Sequence, residues 1–313
     1  ITALRGSGTV IAGDGTNSVS LGNGVNTVTT GSGNDTITTG TGTSTINAGD
    51  GVNIVTTAAA IVNVTTGVGD DTITALNGSG TIAAGNGINS ITVGNGAYTI
   101  TGGTGADTVV AGNGNNIINV GTGNNNVTVG DGNNVIDAGA GNDHFIAGNG
   151  NNTFRGGIGT NIYTAGTGSN TIDYSLITTT AVTISLVSGL ATGTGLADTL
   201  SGIQNVVGTN LADTITGNTS NNTLYGGDGN DTMTGGGGND TFYGGNGNDT
   251  ITGGTGNDTV YAGDGDNTVY TGTSGLDNIY GGTGNNTFIS QHAGVTYNGT
   301  NGAVIAAGVY NTI

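Results

Sequence analysis

The sequence predicts an all-β fold, a solenoid of short stacked strands, on three observations. A nine-residue unit recurs over almost the whole chain, each unit brings one large apolar residue at its eighth position, and Gly and Asp or Asn recur at fixed places ahead of it. Such a unit cannot bury its apolar residue alone, but stacked copies share one core. The first six residues must turn tightly, which Gly permits. The last three alternate about an inward apolar residue, as a strand does. Two nonapeptides complete one coil, so each residue stacks on the one eighteen positions away.

The pattern is clearest at 226–261, where GGDGNDTMT, GGGGNDTFY, GGNGNDTIT and GGTGNDTVY follow one another without a break. Met233, Phe242, Ile251 and Val260 are the inward residues. Asp231 falls over Asp249, and Asp240 over Asp258. A row of carboxylates at that spacing repels itself unless a cation sits between its members. Gly carbonyls and paired carboxylates are hard oxygen donors, which suit calcium.

These four units resemble the RTX (repeat-in-toxin) family of calcium-binding nonapeptide repeats. The resemblance implies a right-handed parallel β-roll, two repeats per coil, export by a type I secretion system, and folding on meeting calcium outside the cell.

Composition narrows the function. The chain has 313 residues, 68 of them Gly, with no Pro, Cys, Trp or Lys, and its twenty acidic residues are all Asp. With Arg5 and Arg155 as the only basic side chains besides His, the net charge is −18. A polyanion without Lys is a poor partner for nucleic acid or an anionic membrane. No apolar run approaches the roughly 20 residues of a spanning helix, so membrane insertion is not expected. Asp tolerates turn conformations and is short enough to reach a cation held against the backbone.

Residues 1–173 are read as the first region, an Asn-rich solenoid. Nineteen nonapeptides fill 3–173 without an insertion, from ALRGSGTVI to AGTGSNTID. Thr at the seventh and ninth positions flanks the apolar row and suits short strands. The sixth position is mostly Asn. Asp stands there only at Asp35, Asp71, Asp107 and Asp143, thirty-six residues or two coils apart, so all four lie on one edge. A site between Asp35 and Asn53 carries one carboxylate, and affinity follows ligand charge. These four are therefore weaker metal candidates, and on the opposite edge stacked Asn amides are expected to hydrogen-bond instead. The unit TAAAIVNVT (57–65) keeps the frame with Val62 in place of a ligand.

Residues 174–206 break the period, and the alternation in Val182–Leu186 reads as strand. The segment resembles the spacers between RTX blocks and is read as longer coils continuing the solenoid. The frame resumes over 207–289, the Asp-rich region. One edge there carries Asp213, Asp231, Asp249 and Asn267, and the other Asn222, Asp240, Asp258 and Asp277. The strongest candidate calcium sites are the gaps 213/231, 231/249, 240/258 and 258/277. Carbonyls of Gly227, Gly229, Gly236, Gly238, Gly245, Gly247, Gly254 and Gly256 are expected to complete them. Tyr225, Tyr243, Tyr261 and Tyr280 share the ninth position and are expected to stack as an outward ladder. Residues 290–313 lose the repeat and are read as a cap or tail.

No catalytic residue is assigned. The chain has no H-E-x-x-H or G-x-S-x-G, and His144 and His292 read as surface residues. The expected function is that of a secreted, extracellular calcium-binding structural protein of a bacterial cell surface: an S-layer, adhesin or filament component. Self-association or a surface polysaccharide is its expected partner. The RTX module of a larger secreted enzyme or toxin is the alternative. An ice-binding solenoid comes third, because Ile54, Asn126, His144 and Ile162 interrupt the Thr column.

Overall fold

The computed structural model describes residues 1–137, 139–290, 292–298 and 302–306, with Leu4, Arg5 and 302–306 described by their backbone alone. The chain forms two compact units, Ile1–Gly168 (unit 1) and Ser169–Ile313 (unit 2). Both are parallel β-solenoids, and the described residues contain no helix.

The nonapeptide sets the geometry of unit 1. Strands of three to six residues alternate between two parallel sheets, each pairing with the strand one coil on. In the first sheet Thr36–Thr39 pairs with Ile54–Thr57, and Ile54–Thr57 with Thr72–Ala75, always at a register of eighteen. In the second, Gly42–Asn47 pairs with Ile61–Thr65 at the same offset. The long strand Ser18–Thr30 runs through a turn and takes part in both sheets.

The eighth-position residues face inward in two columns. Val19, Ile37, Val55, Ile73 and Ile91 belong to one, and Val28, Ile46, Val64, Ile82 and Ile100 to the other, all at most 1 % exposed. Burying an aliphatic side chain of this size contributes about 1.5–3 kcal/mol, and β-branching suits residues that stack on identical neighbours. Later coils use larger residues: Phe145 stacks on Tyr163 at 5.0 Å, and Phe154 meets Tyr163 edge-on at 5.6 Å. Val62, at a sixth position, is fully buried and packs inward where its counterparts are polar.

Unit 2 repeats this pattern after a different start. Thr183–Ser185 pairs parallel with Thr214–Thr216, but Leu190–Gly193 and Leu196–Ser201 double back as an antiparallel meander. The spacer therefore holds a hairpin excursion as well as coil. A buried hydrogen bond anchors it, from the Tyr174 hydroxyl to Asp198 Oδ2 at 2.8 Å. Parallel stacking then continues through Thr223–Asp228, Thr232–Gly237, Thr241–Asn246 and Thr250–Thr255. Past the last repeat, Thr296–Asn298 and Gly302–Ala306 add a strand to each sheet; residues 291, 299–301 and 307–313 of the 290–313 tail lie outside the described residues. The tyrosine ladder forms as expected. Tyr225, Tyr243, Tyr261 and Tyr280 stack at 4.4, 5.0 and 4.9 Å with near-parallel rings.

Candidate metal sites at the turns

Each turn delivers its sixth-position side chain to the inside of the coil edge. The turn itself requires glycine at the second and fourth positions. Gly227 and Gly229 have φ of 115° and 114°, and a methyl on Gly245 would lie 1.7 Å from Gly227 O in the coil before. Coils this close admit no Cβ there.

The sixth-position side chains form a continuous ladder along the edge. The backbone N–H of Asp231 donates to Asp249 Oδ1 at 2.9 Å, that of Asp240 to Asp258 Oδ1 at 2.9 Å, and that of Asp258 to Asp277 Oδ1 at 2.9 Å. Unit 1 does the same with a mixed row: Asn17 N–H donates to Asp35 Oδ1, Asp35 N–H to Asn53 Oδ1, and Asn53 N–H to Asp71 Oδ1. Along these rows Oδ1 has one task whether the residue is Asp or Asn, whereas Asn26 Oδ1 has no partner and Asn222 Oδ1 accepts from Asn218 N–H in its own turn. Sequence reasoning expected stacked Asn amides to hydrogen-bond on one edge but missed the ladder, in which Asp and Asn alike accept a backbone N–H from the coil before. Its signal was the free interchange of Asp and Asn with no Glu or Gln among them.

The second terminal atom separates the two residue types. In the Asn rungs it is a donor. Asn53 Nδ2 reaches Gly49 O at 3.1 Å and Gly51 O at 3.0 Å. Asn152 reaches Gly148 O and Gly150 O, both at 3.2 Å, and in unit 2 Asn267 reaches Gly263 O and Gly265 O at 3.2 and 3.4 Å. On the second edge of unit 1, Asn116 also donates to Asn134 Oδ1, and Asn134 to Asn152 Oδ1, as stacked amides should. In the Asp rungs the same place holds an acceptor. Oδ2 of Asp231, Asp240, Asp249 and Asp258 is buried with no hydrogen-bond partner, as is Oδ2 of Asp35, Asp71, Asp107 and Asp143.

A backbone carbonyl oxygen of the next coil lies beside each orphaned oxygen of 226–261. A methyl built on Gly226 would lie 2.2 Å from Asp231 Oδ2 and 2.6 Å from Gly244 O. One on Gly235 would meet Asp240 Oδ2 at 2.2 Å and Gly253 O at 2.6 Å. Gly244 and Gly253 repeat the arrangement against Asp249 and Asp258. None of these four glycines lies in the left-handed region, so the need there is for space beside the carboxylate. They were not among the expected site residues; the Gly-Gly doublet of unit 2, against Ala-Gly or Thr-Gly in most of unit 1, was their signature. A cradle of carboxylate and carbonyl oxygens fits a hard cation, and calcium, which takes six to eight oxygens at about 2.3–2.6 Å, fits it best. Among the described residues no three Asp or His side chains converge, so an ion held here would have to take most of its oxygens from the backbone.

Burial sharpens the demand. It pushes the Asp231 and Asp240 carboxyls up to about 7, with neighbouring Asp charges adding to the effect and backbone N–H donors opposing it. Burial likewise lifts Asp143 and Asp258 to about 6, and raises Asp71, Asp107, Asp213, Asp249 and Asp277. An ionised carboxylate in such a place needs a positive charge beside it.

Two of the expected ligands differ from the rest. Asp213 is already engaged: Oδ1 accepts from Val182 N–H at 2.7 Å, and both oxygens accept from the Thr209 hydroxyl. Asp277 Oδ2 lies 3.1 Å from His292 Nε2. That corrects the reading of His292 as a surface residue, because its side chain is only 12 % exposed. The tail folds back through Thr296–Asn298, which pairs with Asn278–Tyr280 and carries His292 onto the edge.

The family profile of the RTX calcium-binding nonapeptide repeat (four copies) matches residues 2–37, 29–59, 74–109, 83–118, 92–127, 119–154, 138–172, 207–242, 243–273 and 271–290. The unmatched stretches include the spacer and the end of the tail. None of the curated proteins compared with the chain matches it.

Proposed function

We propose, from the premise that the chain belongs to the RTX calcium-binding nonapeptide repeat family, that it is an extracellular structural protein of a cell surface whose Asp-rich unit folds on taking up calcium. RTX repeats typically bind calcium, and RTX repeat proteins are typically secreted. The observation that carries the reading is the set of buried, unpartnered Oδ2 atoms along 226–261, each beside a backbone carbonyl oxygen of the next coil. Asp231, Asp240, Asp249 and Asp258 would hold the ion with turn and first-glycine carbonyls. Calcium supplies charge neutralisation there, and the glycine-rich turns, costly to order, stack only once the carboxylates cease to repel. In this reading the carboxylates serve the fold, and the chain has no reaction of its own.

The structural role is supported by the extent of the repeat, whose family matches run from residue 2 to residue 290 with gaps at 60–73 and 173–206. It fits a component of a surface layer, adhesin or filament. The test is electron microscopy of the purified chain in millimolar calcium against a chelator control. Ordered sheets or filaments that dissolve on chelation are the expected outcome. Separate particles in calcium would overturn self-assembly and leave calcium binding standing.

A further inference from the structure

We infer that unit 1 carries its own substitute for the cation: Asn amides at the sixth position and Thr hydroxyls at the first hold the carbonyls that the ion holds in unit 2, so that an Asp in unit 1 is not by itself a calcium site. The inference rests on the calcium reading of unit 2 and concerns which rungs are exempt from it.

Two substitutions of the cation are visible. The Asn amide bonds the carbonyls four and two residues back, as at Asn53, and the Asn89 amide also reaches Gly102 O, one coil on, at 3.5 Å. The other concerns the rungs that do carry Asp. Thr30 occupies the first position of the Asp35 repeat, and its hydroxyl donates to Ala48 O at 2.7 Å. Thr66 holds the same place beside Asp71 and donates to Ala84 O at 2.5 Å. Ala48 and Ala84 are one coil beyond Thr30 and Thr66, as Gly244 is beyond Gly226. Their carbonyls therefore correspond to the one that faces the cradle in unit 2. A threonine there puts a Cβ into the cradle and a donor onto the carbonyl, so the ion loses both its space and one of its ligands.

The exception defines the rule. Asp107 has Gly102 at its first position, and a methyl built on Gly102 would meet Asp107 Oδ2 at 2.4 Å and Val120 O at 2.8 Å. That is the geometry of the unit 2 rungs. Asp143 follows Ala138, which lies outside the described residues. Among the described rungs of unit 1, Gly102–Asp107 is thus the one left open.

The test is the calcium stoichiometry of the full chain by isothermal titration calorimetry, with circular dichroism as the check on folding. Thr66→Gly is expected to gain one bound ion at the Asp71 rung, and Gly102→Thr to lose one. Thr66→Ala, which keeps the Cβ and removes the hydroxyl, is expected to gain none and separates loss of the donor from opening of the space. If wild type binds calcium and both Thr66→Gly and Gly102→Thr, folded, keep its stoichiometry, the inference is overturned while the calcium reading stands. A wild-type chain that binds no calcium at all would overturn both.

Discussion

At Asn53 in unit 1 and Asp231 in unit 2 the backbone does the same thing. Each Oδ1 accepts the N–H of the sixth-position residue one coil back, at 3.1 and 2.7 Å. Beyond that bond the two part. Asn53 turns two N–H groups toward the carbonyls of Gly49 and Gly51, whereas Asp231 turns a second oxygen toward carbonyls it cannot bond. One atom in the side chain separates a turn that satisfies itself from one that leaves an acceptor without a partner. A buried acceptor without a partner costs about 1–3 kcal/mol, and more when charged, so a row of them governs whether the coils stack at all. The comparison teaches that metal dependence in such a solenoid can be altered rung by rung without changing the path of the chain.

The widest separation between the units should appear on chelation. In calcium, amides throughout both units should resist hydrogen exchange. In chelator at pH 8, amides in 226–261 should lose protection by about a thousandfold, equivalent to roughly 4 kcal/mol, while those in 12–65 keep most of theirs. Acid should then stand in for the ion. The folded-state pKa of Asp231 and Asp240, about 7, exceeds the ordinary 3.8. The folded form therefore binds protons more tightly, and this contribution to stability is full below about pH 3.8 and lost as pH rises through about 7. Lowering the pH from 8 to 5 in chelator should return protection to 226–261. Equal loss of protection in both units, or no recovery in acid, would break the comparison.

A smaller change converts one unit into the other. Asp231, Asp240, Asp249 and Asp258 all replaced by Asn should abolish calcium binding at these rungs and yet let 226–261 fold in chelator, because each amide reaches its own turn carbonyls as Asn267 already does. Each such rung should gain about 1 kcal/mol over the metal-free wild type. Alanine at the same positions removes the orphaned Oδ2 but also leaves the N–H one coil back without its acceptor, so in chelator it should fall about 1–3 kcal/mol per rung below the Asn variant. The readout is the thermal midpoint in calcium and in chelator. Asn and Ala variants that behave alike would sink the account of the amide as a substitute.

Most of the fold was legible because it follows from period alone. The inward columns headed by Val19 and Val28, the stacking of Asp231 on Asp249 and the tyrosine ladder all follow from counting nine and eighteen. The site was legible only in part. The sixth position stood out by its carboxylates, but the job of Gly226 did not, because glycine in a turn already has an explanation in its backbone freedom. The space it leaves becomes apparent only when Asp231 Oδ2 and Gly244 O are placed around it. Thr30 and Thr66, at the first position of their repeats, carried no signal, since a hydroxyl bonded one coil away leaves no mark in the local sequence. The contact of His292 with Asp277 depends on a tail with no period to extrapolate. Likewise the meander of Leu190–Ser201 and the Tyr174–Asp198 bond sit where the repeat is interrupted.

The ladder of tyrosines is the remaining difference between the units, and it should matter least. The rings of Tyr225, Tyr243, Tyr261 and Tyr280 stand on the outside of one sheet of unit 2, face to face and more than a third exposed. Corresponding places on the other sheet hold Thr234, Thr252 and Tyr270. Since Thr is tolerated there, Tyr243→Thr should keep the strand and lose only two ring contacts, each worth about 0.5–1.5 kcal/mol beyond area. A β-branched replacement on an exposed strand returns part of that, so the net loss in calcium should be about 1 kcal/mol, read as a small drop in thermal midpoint. The inward rungs are on the opposite side of the backbone from these rings, so the number of calcium ions bound should not change. A Tyr243→Thr chain that stayed folded but bound fewer ions would mean that the outer face helps to set the rungs, and that the difference between the two units is not confined to their turns.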